Sequence, residues 1–398
     1  MLISVPLLTF LLAALVALTP LAVDMYLPAM QMIAADLQTP IHQVELSISS
    51  YLLGFAAGQV VGGAVSDRFG RKPVVLAGML VFMLSSGALI YVDSIDGLLF
   101  WRVLQAFGGG IAVVNASAIV RDLYAGNEVA RVLSMIASVM MMAPLLAPLI
   151  GALITELSGW RAIFAVLAVY ALLVVIGFIW KVPESRVSQQ DSDRPGMLAA
   201  YLKIVRNRLA MSYVLALSFA FSGMFAFITA APFAYLEHFG ATPLEFTYLF
   251  GANIVTMIFF SRLNVRWVNR FGPNRLLLVG LLTQALAGLG LVIAAQAELS
   301  LTVVVLLNML FVGVLGLVAA NATASCLELF PEISASANAV IGVVEFSMGA
   351  LVGVLWASIH DGSLMPMVAV MAACATLGLV SGFYSRYLRA ANTGFCEG

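Results

Sequence analysis

Long apolar stretches alternate with short polar breaks along the whole chain. A helix needs roughly 20 apolar residues to cross a bilayer. Twelve stretches of that length are predicted, at 5–28, 43–65, 73–92, 97–120, 130–155, 160–181, 209–232, 243–263, 274–295, 299–325, 334–358 and 363–385. Segments of about ten residues alternating apolar with polar, which would signal a membrane barrel, do not occur. The expected fold is all-α and polytopic, with twelve transmembrane helices. Residues 1–182 and 209–390 form two six-helix bundles, 183–208 a cytoplasmic linker and 391–398 a tail.

The polar breaks carry most of the information. The one after the second span reads Gly63-Ala-Val-Ser-Asp67-Arg68-Phe-Gly70-Arg71-Lys72-Pro73, with three cations and one anion inside six residues. Shifting the chain by 202 residues lays Asp67-Arg68-Phe69-Gly70 over Asn269-Arg270-Phe271-Gly272, again between the second and third helices of a half. The match fits two parallel repeats around a midplane site. Only the first copy keeps its acid.

Composition narrows the class. The 398 residues are 62% hydrophobic and 10% charged, whereas soluble domains are about 25% charged, so a water-soluble fold is excluded. Lys and Arg sort by side. With both termini cytoplasmic, all 19 basic residues except Arg102 and Arg161 fall in inner breaks. The first span lacks a basic leader and a small-residue cleavage site, so it reads as a retained helix. Cys326, Cys374 and Cys396 have no metal-ligand spacing. No nucleophile elbow, phosphate loop or basic nucleic-acid patch occurs, which points away from an enzyme, a cofactor or a nucleic-acid partner.

Charges inside apolar spans are costly and mark function. Asp24 in the first span and Arg102 in the fourth sit at similar depth and can face each other. They read either as a structural ion pair or as a carboxylate whose proton affinity follows its neighbours. Glu345 lies about ten residues into the eleventh span, roughly 15 Å deep at 1.5 Å per residue. It reads as a protonatable, cavity-facing acid or as a neutral hydrogen-bonding group. Gln59, Asn115, Asn253, Asn308 and Asn321 are interhelical hydrogen-bond candidates, more often packing contacts than ligands. Tyr26, Phe225 and Phe346 join Gln59, Asn115, Asn253 and Asn308 as candidate cavity residues. In the fifth span Pro144 and Pro148 remove backbone donors, with Gly151 beside them, as suits a bent helix in close contact with another.

These segments resemble the major facilitator superfamily over nearly the whole chain. Gly63 to Lys72 resembles its loop motif. Arg102-Val-Leu-Gln105-Ala106 resembles the fourth-helix motif associated with proton transfer, with Ala in place of Gly. Ala143 to Gly151 resembles the fifth-helix antiporter motif. Asp24-Met-Tyr-Leu-Pro-Ala-Met30, Arg121-Asp122-Leu-Tyr124, Gly159-Trp160-Arg-Ala-Ile-Phe164 and Phe221-Ser-Gly-Met-Phe225 resemble, more narrowly, the Bcr/CflA family of drug:proton antiporters. The resemblance implies a monomeric inner-membrane exporter of small, partly hydrophobic antibacterials, driven by protons and needing no cofactor. Asp24 and Arg102, with Glu345 added by this chain, would couple to protons, and Asp67, Arg68, Arg71, Lys72 and Asp122 would gate. The alternative is a metabolite exporter or uniporter, for an amino acid or sugar, on the same scaffold.

Overall fold

A computed structural model of the chain describes residues 5–124, 127–185 and 197–394; a few side chains within them, Asp67 included, lie outside the described set. Among the described residues every regular element is helical, and twelve helices are long and apolar enough to cross a membrane. We number them α1 (Val5–Asp24), α2 (Ile41–Phe69), α3 (Arg71–Leu89), α4 (Ile95–Leu123), α5 (Asn127–Ser158) and α6 (Arg161–Lys181). The rest are α7 (Arg208–Pro232), α8 (Pro243–Phe271), α9 (Pro273–Gln296), α10 (Leu301–Gly313 continued as Leu315–Glu328), α11 (Ser334–Ile359) and α12 (Met365–Gly394).

The helices gather into two compact units. One comprises Met1–Arg194 with Ala241–Thr247, the other Pro195–Gly240 with Tyr248–Gly398. The expected linker is not polar throughout. Residues Met197–Arg206 form a helix whose Ala200 and Ile204, one turn apart, are buried, with Lys203 and Arg206 left exposed. Asn207 then breaks the helix and caps α7, its Oδ1 accepting from the Ala210 N–H at 3.0 Å. The first span is also subdivided. α1 stops at Asp24, and Pro28 in a 3₁₀ turn (Leu27–Ala29) separates it from a short helix, Met30–Asp36.

In the first unit α4 is held between α2 and α3 by glycines. Gly54, Gly58 and Gly62 recur every fourth residue on α2, and a Cβ on Gly58 would lie 3.0 Å from the Phe107 carbonyl carbon of α4. On the other side, a Cβ on Gly108 of α4 would lie 2.6 Å from the Phe82 nitrogen of α3. Such close backbone approach is how small residues join membrane helices. The second unit uses the same device on α10, where Gly313 and Gly316 meet Thr256, Met257 and Ser261 of α8.

The two hinges share one backbone conformation. Gly70 has φ 99° and ψ 158°, and Gly272 has φ 75° and ψ 157°. Both fall in a region essentially restricted to glycine. The sequence match between the hinges is therefore matched in geometry. At the other end of the first unit, Arg161 bonds to Asp36 and, at 2.8 Å, to the Val92 carbonyl. Its guanidinium lies 4.2 Å from the Trp160 ring centre, and Trp160 Nε1 donates to Asp36 at 3.2 Å. This clamp gives the second off-pattern arginine a local role.

Candidate functional site

Arg102 is fully buried on α4 and forms the centre of a polar cluster in the first unit. One guanidinium nitrogen, Nη1, donates to the Ala22 carbonyl at 3.0 Å and to Gln105 Oε1 at 2.7 Å. Ala22 lies in the last turn of α1, where backbone carbonyls lack intrahelical partners. Arg102 therefore caps the negative end of α1. Its guanidinium sits between two aromatic rings, 4.5 Å from the Tyr26 centre and 4.4 Å from the Tyr51 centre. Gln105 passes the network on, donating from Nε2 to Ser86 at 2.8 Å, and Ser86 donates to the Phe82 carbonyl at 2.7 Å. Tyr26 bonds through its hydroxyl to Ser47 at 2.7 Å.

Asp24 is 4% exposed at the last position of α1. It stands two positions along the chain from the carbonyl that Arg102 holds, yet among the described residues no ion pair joins the two side chains. Arg102 instead takes neutral acceptors, leaving Nε and Nη2 without a hydrogen-bond partner among the described residues. The α5 motif reaches the same place. A Cβ on Gly151 would lie 2.9 Å from the Met25 Cα, so only glycine lets α5 pack on the residue after Asp24. α5 remains helical through Pro144 and Pro148. Tyr51, Ser47, Ser86 and the fully buried Glu45 belong to this neighbourhood and were not singled out from the sequence. Tyr51, Ser47 and Ser86 look like ordinary helix packing in the sequence, whereas Glu45, an acid near the start of the predicted second span, carried a signal that could have marked it.

The hinge residues form a second cluster. Arg71 Nη1 donates to Ser66 Oγ at 2.7 Å, and its Nε lies 3.3 Å from Asp122 Oδ2 at the end of α4. Ser66 in turn donates to the Gly63 carbonyl at 3.1 Å, and Arg68 lies over the Phe69 ring at 5.5 Å. Glu184, just past α6, supplies a piece the sequence reading lacked. Its two carboxylate oxygens accept from the successive N–H groups of Arg71 at 2.9 Å and Lys72 at 3.1 Å. These are the open amides of the first turn of α3, where a carboxylate is favoured. Lys72 Nζ donates to the Ile179 carbonyl at 2.9 Å, and Ser185 donates to Asp122 at 3.2 Å. The side chain of Asp67 lies outside the described residues.

The second unit carries no counterpart of Arg102 on α10. There Asn308 Nδ2 donates to the buried Tyr235 hydroxyl at 3.1 Å, within a π-helical turn, Phe233–His238. Asn253 and Asn115 turn their amide nitrogens onto carbonyls of their own helices, Leu249 at 3.1 Å and Ile111 at 2.8 Å. Asn321 bonds across to Asn264 at 2.7 Å. Gln59 Oε1 is buried without a partner among the described residues. Phe225 and Phe346 approach with ring centres 5.7 Å apart. Glu345 is half-buried on α11, and among the described residues no hydrogen bond or ion pair reaches it.

Comparison with known proteins adds four findings. A family model described as Major Facilitator Superfamily matches residues 12–355. The chain is 36% identical to a bicyclomycin resistance protein homolog of Haemophilus influenzae, over 92% of this chain and 93% of that protein. It is 32% identical to a chloramphenicol resistance protein of Pseudomonas aeruginosa, over 66% of this chain and 62% of that protein. Among solved structures it superposes on the xylose transporter XylE from E. coli with a TM-score of 0.71, covering 96% of this chain and 98% of that one. At 17% identity that likeness concerns the fold alone.

Proposed function

The chain belongs to the major facilitator superfamily, and from that premise we propose that it is a proton-coupled antiporter exporting small, partly hydrophobic antibacterial compounds by alternating access. It would sit in the bacterial inner membrane with both termini cytoplasmic, as a monomer driven by the proton gradient alone. Relatives named for bicyclomycin and chloramphenicol resistance support drug export as the task.

The observation that carries the coupling is the relation of Asp24 to Arg102. A carboxyl buried at the end of α1 stands two residues from a carbonyl held by an arginine that still has two unused donors. Ionised, Asp24 gains those donors, and the pair offsets the cost of burying either charge. Protonated, it releases them. Gaining and losing this bond changes the relative energies of states that differ at the α1 end, and so shifts their populations. Tyr26 and Tyr51 hold the guanidinium in place during the exchange. The hinge network around Arg71, Asp122 and Glu184 would gate the cytoplasmic end, with Asp67 as its acid.

Export of a sugar or amino acid on the same scaffold is less well supported. Such cargo wants several polar side chains open to one cavity, whereas Asn115 and Asn253 use their amide nitrogens on their own helices. Proteoliposomes test the reading. An imposed pH gradient should drive accumulation of a neutral antibacterial such as chloramphenicol by the wild type, and Asp24→Asn should abolish that accumulation. Wild-type flux indifferent to the gradient removes the coupling, and an Asp24→Asn protein that still concentrates drug removes Asp24 from it.

A further inference from the structure

Glu345 is an acid in the interior of a membrane helix, and among the described residues no ion pair reaches it. In the second unit, the lysines and arginines of the spans occupy the first residue of α7, the last turns of α8, the first turn of α9 and the end of α12. α10 and α11 carry none. Glu345 is eleven residues past the start of α11, which at 1.5 Å per residue is roughly 16 Å along the helix.

Aromatic rings lie one turn along the same face of α11. Gly349 stands one turn further along and shares the Glu345 face of α11. There the Phe225 ring of α7 packs directly on the helix, since a Cβ on Gly349 would lie 3.0 Å from Phe225 Cγ. Phe346, next in the chain, has its ring centre 5.7 Å from that of Phe225, and Phe221 continues the row at 6.4 Å. A proton alone would neutralise the acid but would have no use for the rings. A carboxylate one helical turn from a pair of aromatic rings can meet both needs of an organic cation, a counter-charge and a ring quadrupole.

We propose that Glu345, with Phe225 and Phe346, forms a recognition site for lipophilic organic cations, such as quaternary phosphonium or ammonium compounds. The inference names a cargo class for the export activity proposed above and rests on that reading. Neutral cargo would not need this acid, so the site separates cationic from neutral compounds within one transporter.

Binding of tetraphenylphosphonium to the purified full-length protein tests it, with chloramphenicol as the neutral comparison. Glu345→Gln should weaken phosphonium binding by about tenfold or more, the scale expected for a lost partner charge. Glu345→Asp should keep most of it, and in Glu345→Gln chloramphenicol binding should fall by a clearly smaller factor than phosphonium binding. On the wild type, phosphonium should protect the Glu345 peptide from carbodiimide labelling, read by mass spectrometry, and chloramphenicol should not. Phosphonium binding equal in wild type and Glu345→Gln overturns the proposal. So does equal loss of both ligands, no phosphonium binding by the wild type, or failure of phosphonium to protect. Protection without gradient-driven transport leaves the cation site standing and rejects the antiporter reading; transport of chloramphenicol without protection does the reverse.

Discussion

Replacing Arg102 with lysine keeps the charge and removes the shape. The guanidinium makes two bonds through one nitrogen, to Ala22 at 3.0 Å and Gln105 at 2.7 Å, while its central carbon lies over two rings, 4.5 and 4.4 Å from their centres. An ammonium on a flexible stem cannot stack in this way. It would retain one of the two bonds, and a hydrogen bond to a charged group is worth about 1.5–3 kcal/mol. Loss of planar stacking on two desolvated rings adds about 1 kcal/mol each, part of which an ammonium recovers. The expected destabilisation is about 2–4 kcal/mol, confined to the first unit. Thermal unfolding of the purified protein, followed by intrinsic fluorescence, should show a lower midpoint for Arg102→Lys. Combining it with Tyr51→Leu should give less than the sum of the two single effects, because the contact is already lost. An Arg102→Lys protein that melts and transports as the wild type would refute the idea that the planar stack is used at all.

Two further outcomes follow from the glycines. Alanine at either hinge should cost about 1–3 kcal/mol for the backbone conformation alone, but Gly70→Ala should be worse than Gly272→Ala. A Cβ at Gly70 meets a Glu184 carboxylate oxygen at 2.7 Å, whereas nothing lies within 4 Å at Gly272. Adding Glu184→Ala should therefore relieve part of the Gly70→Ala defect and none of the Gly272→Ala defect, measured by thermal midpoint. On the spans, Gly58→Ala should be destabilising by about 1–3 kcal/mol because it forces α2 off α4. Gly87→Ala on α3, with nothing within 4 Å, should be neutral or stabilising by up to about 1 kcal/mol.

The fold was largely legible from the chain because its signals are local. Span length and the repeat of Asp67-Arg68-Phe69-Gly70 at Asn269-Arg270-Phe271-Gly272 are readable along the sequence, whereas the packing use of Gly54, Gly58 and Gly62 emerged only with the fold. The burial of Arg102 was legible too, from its place among apolar neighbours. Its partners were not. A guanidinium was expected to seek a carboxylate, and here it takes a backbone carbonyl, an amide and two ring faces, none of which carries a charge that a sequence displays. Glu184 was hidden for a related reason. It opens a polar stretch where any acid looks solvated, and only the fold brings it, 113 positions from Arg71, to the start of α3. The helix Met197–Arg206 was masked by the Asp191-Ser-Asp-Arg-Pro run before it, which made the whole segment read as linker.

The Glu184 contact also has a mechanical side. Both carboxylate oxygens hold the first amides of α3, and Lys72 reaches back to Ile179 near the end of α6. These ties make α3 and α6 one stiff arm at that end. A pull applied at Ser185 would thereby reach the first turn of α3 and the Gly70 pivot. A cut or a long insertion placed after Ser185 would remove the load but leave the tie intact, whereas one placed between Lys181 and Glu184 would uncouple Glu184 from α6.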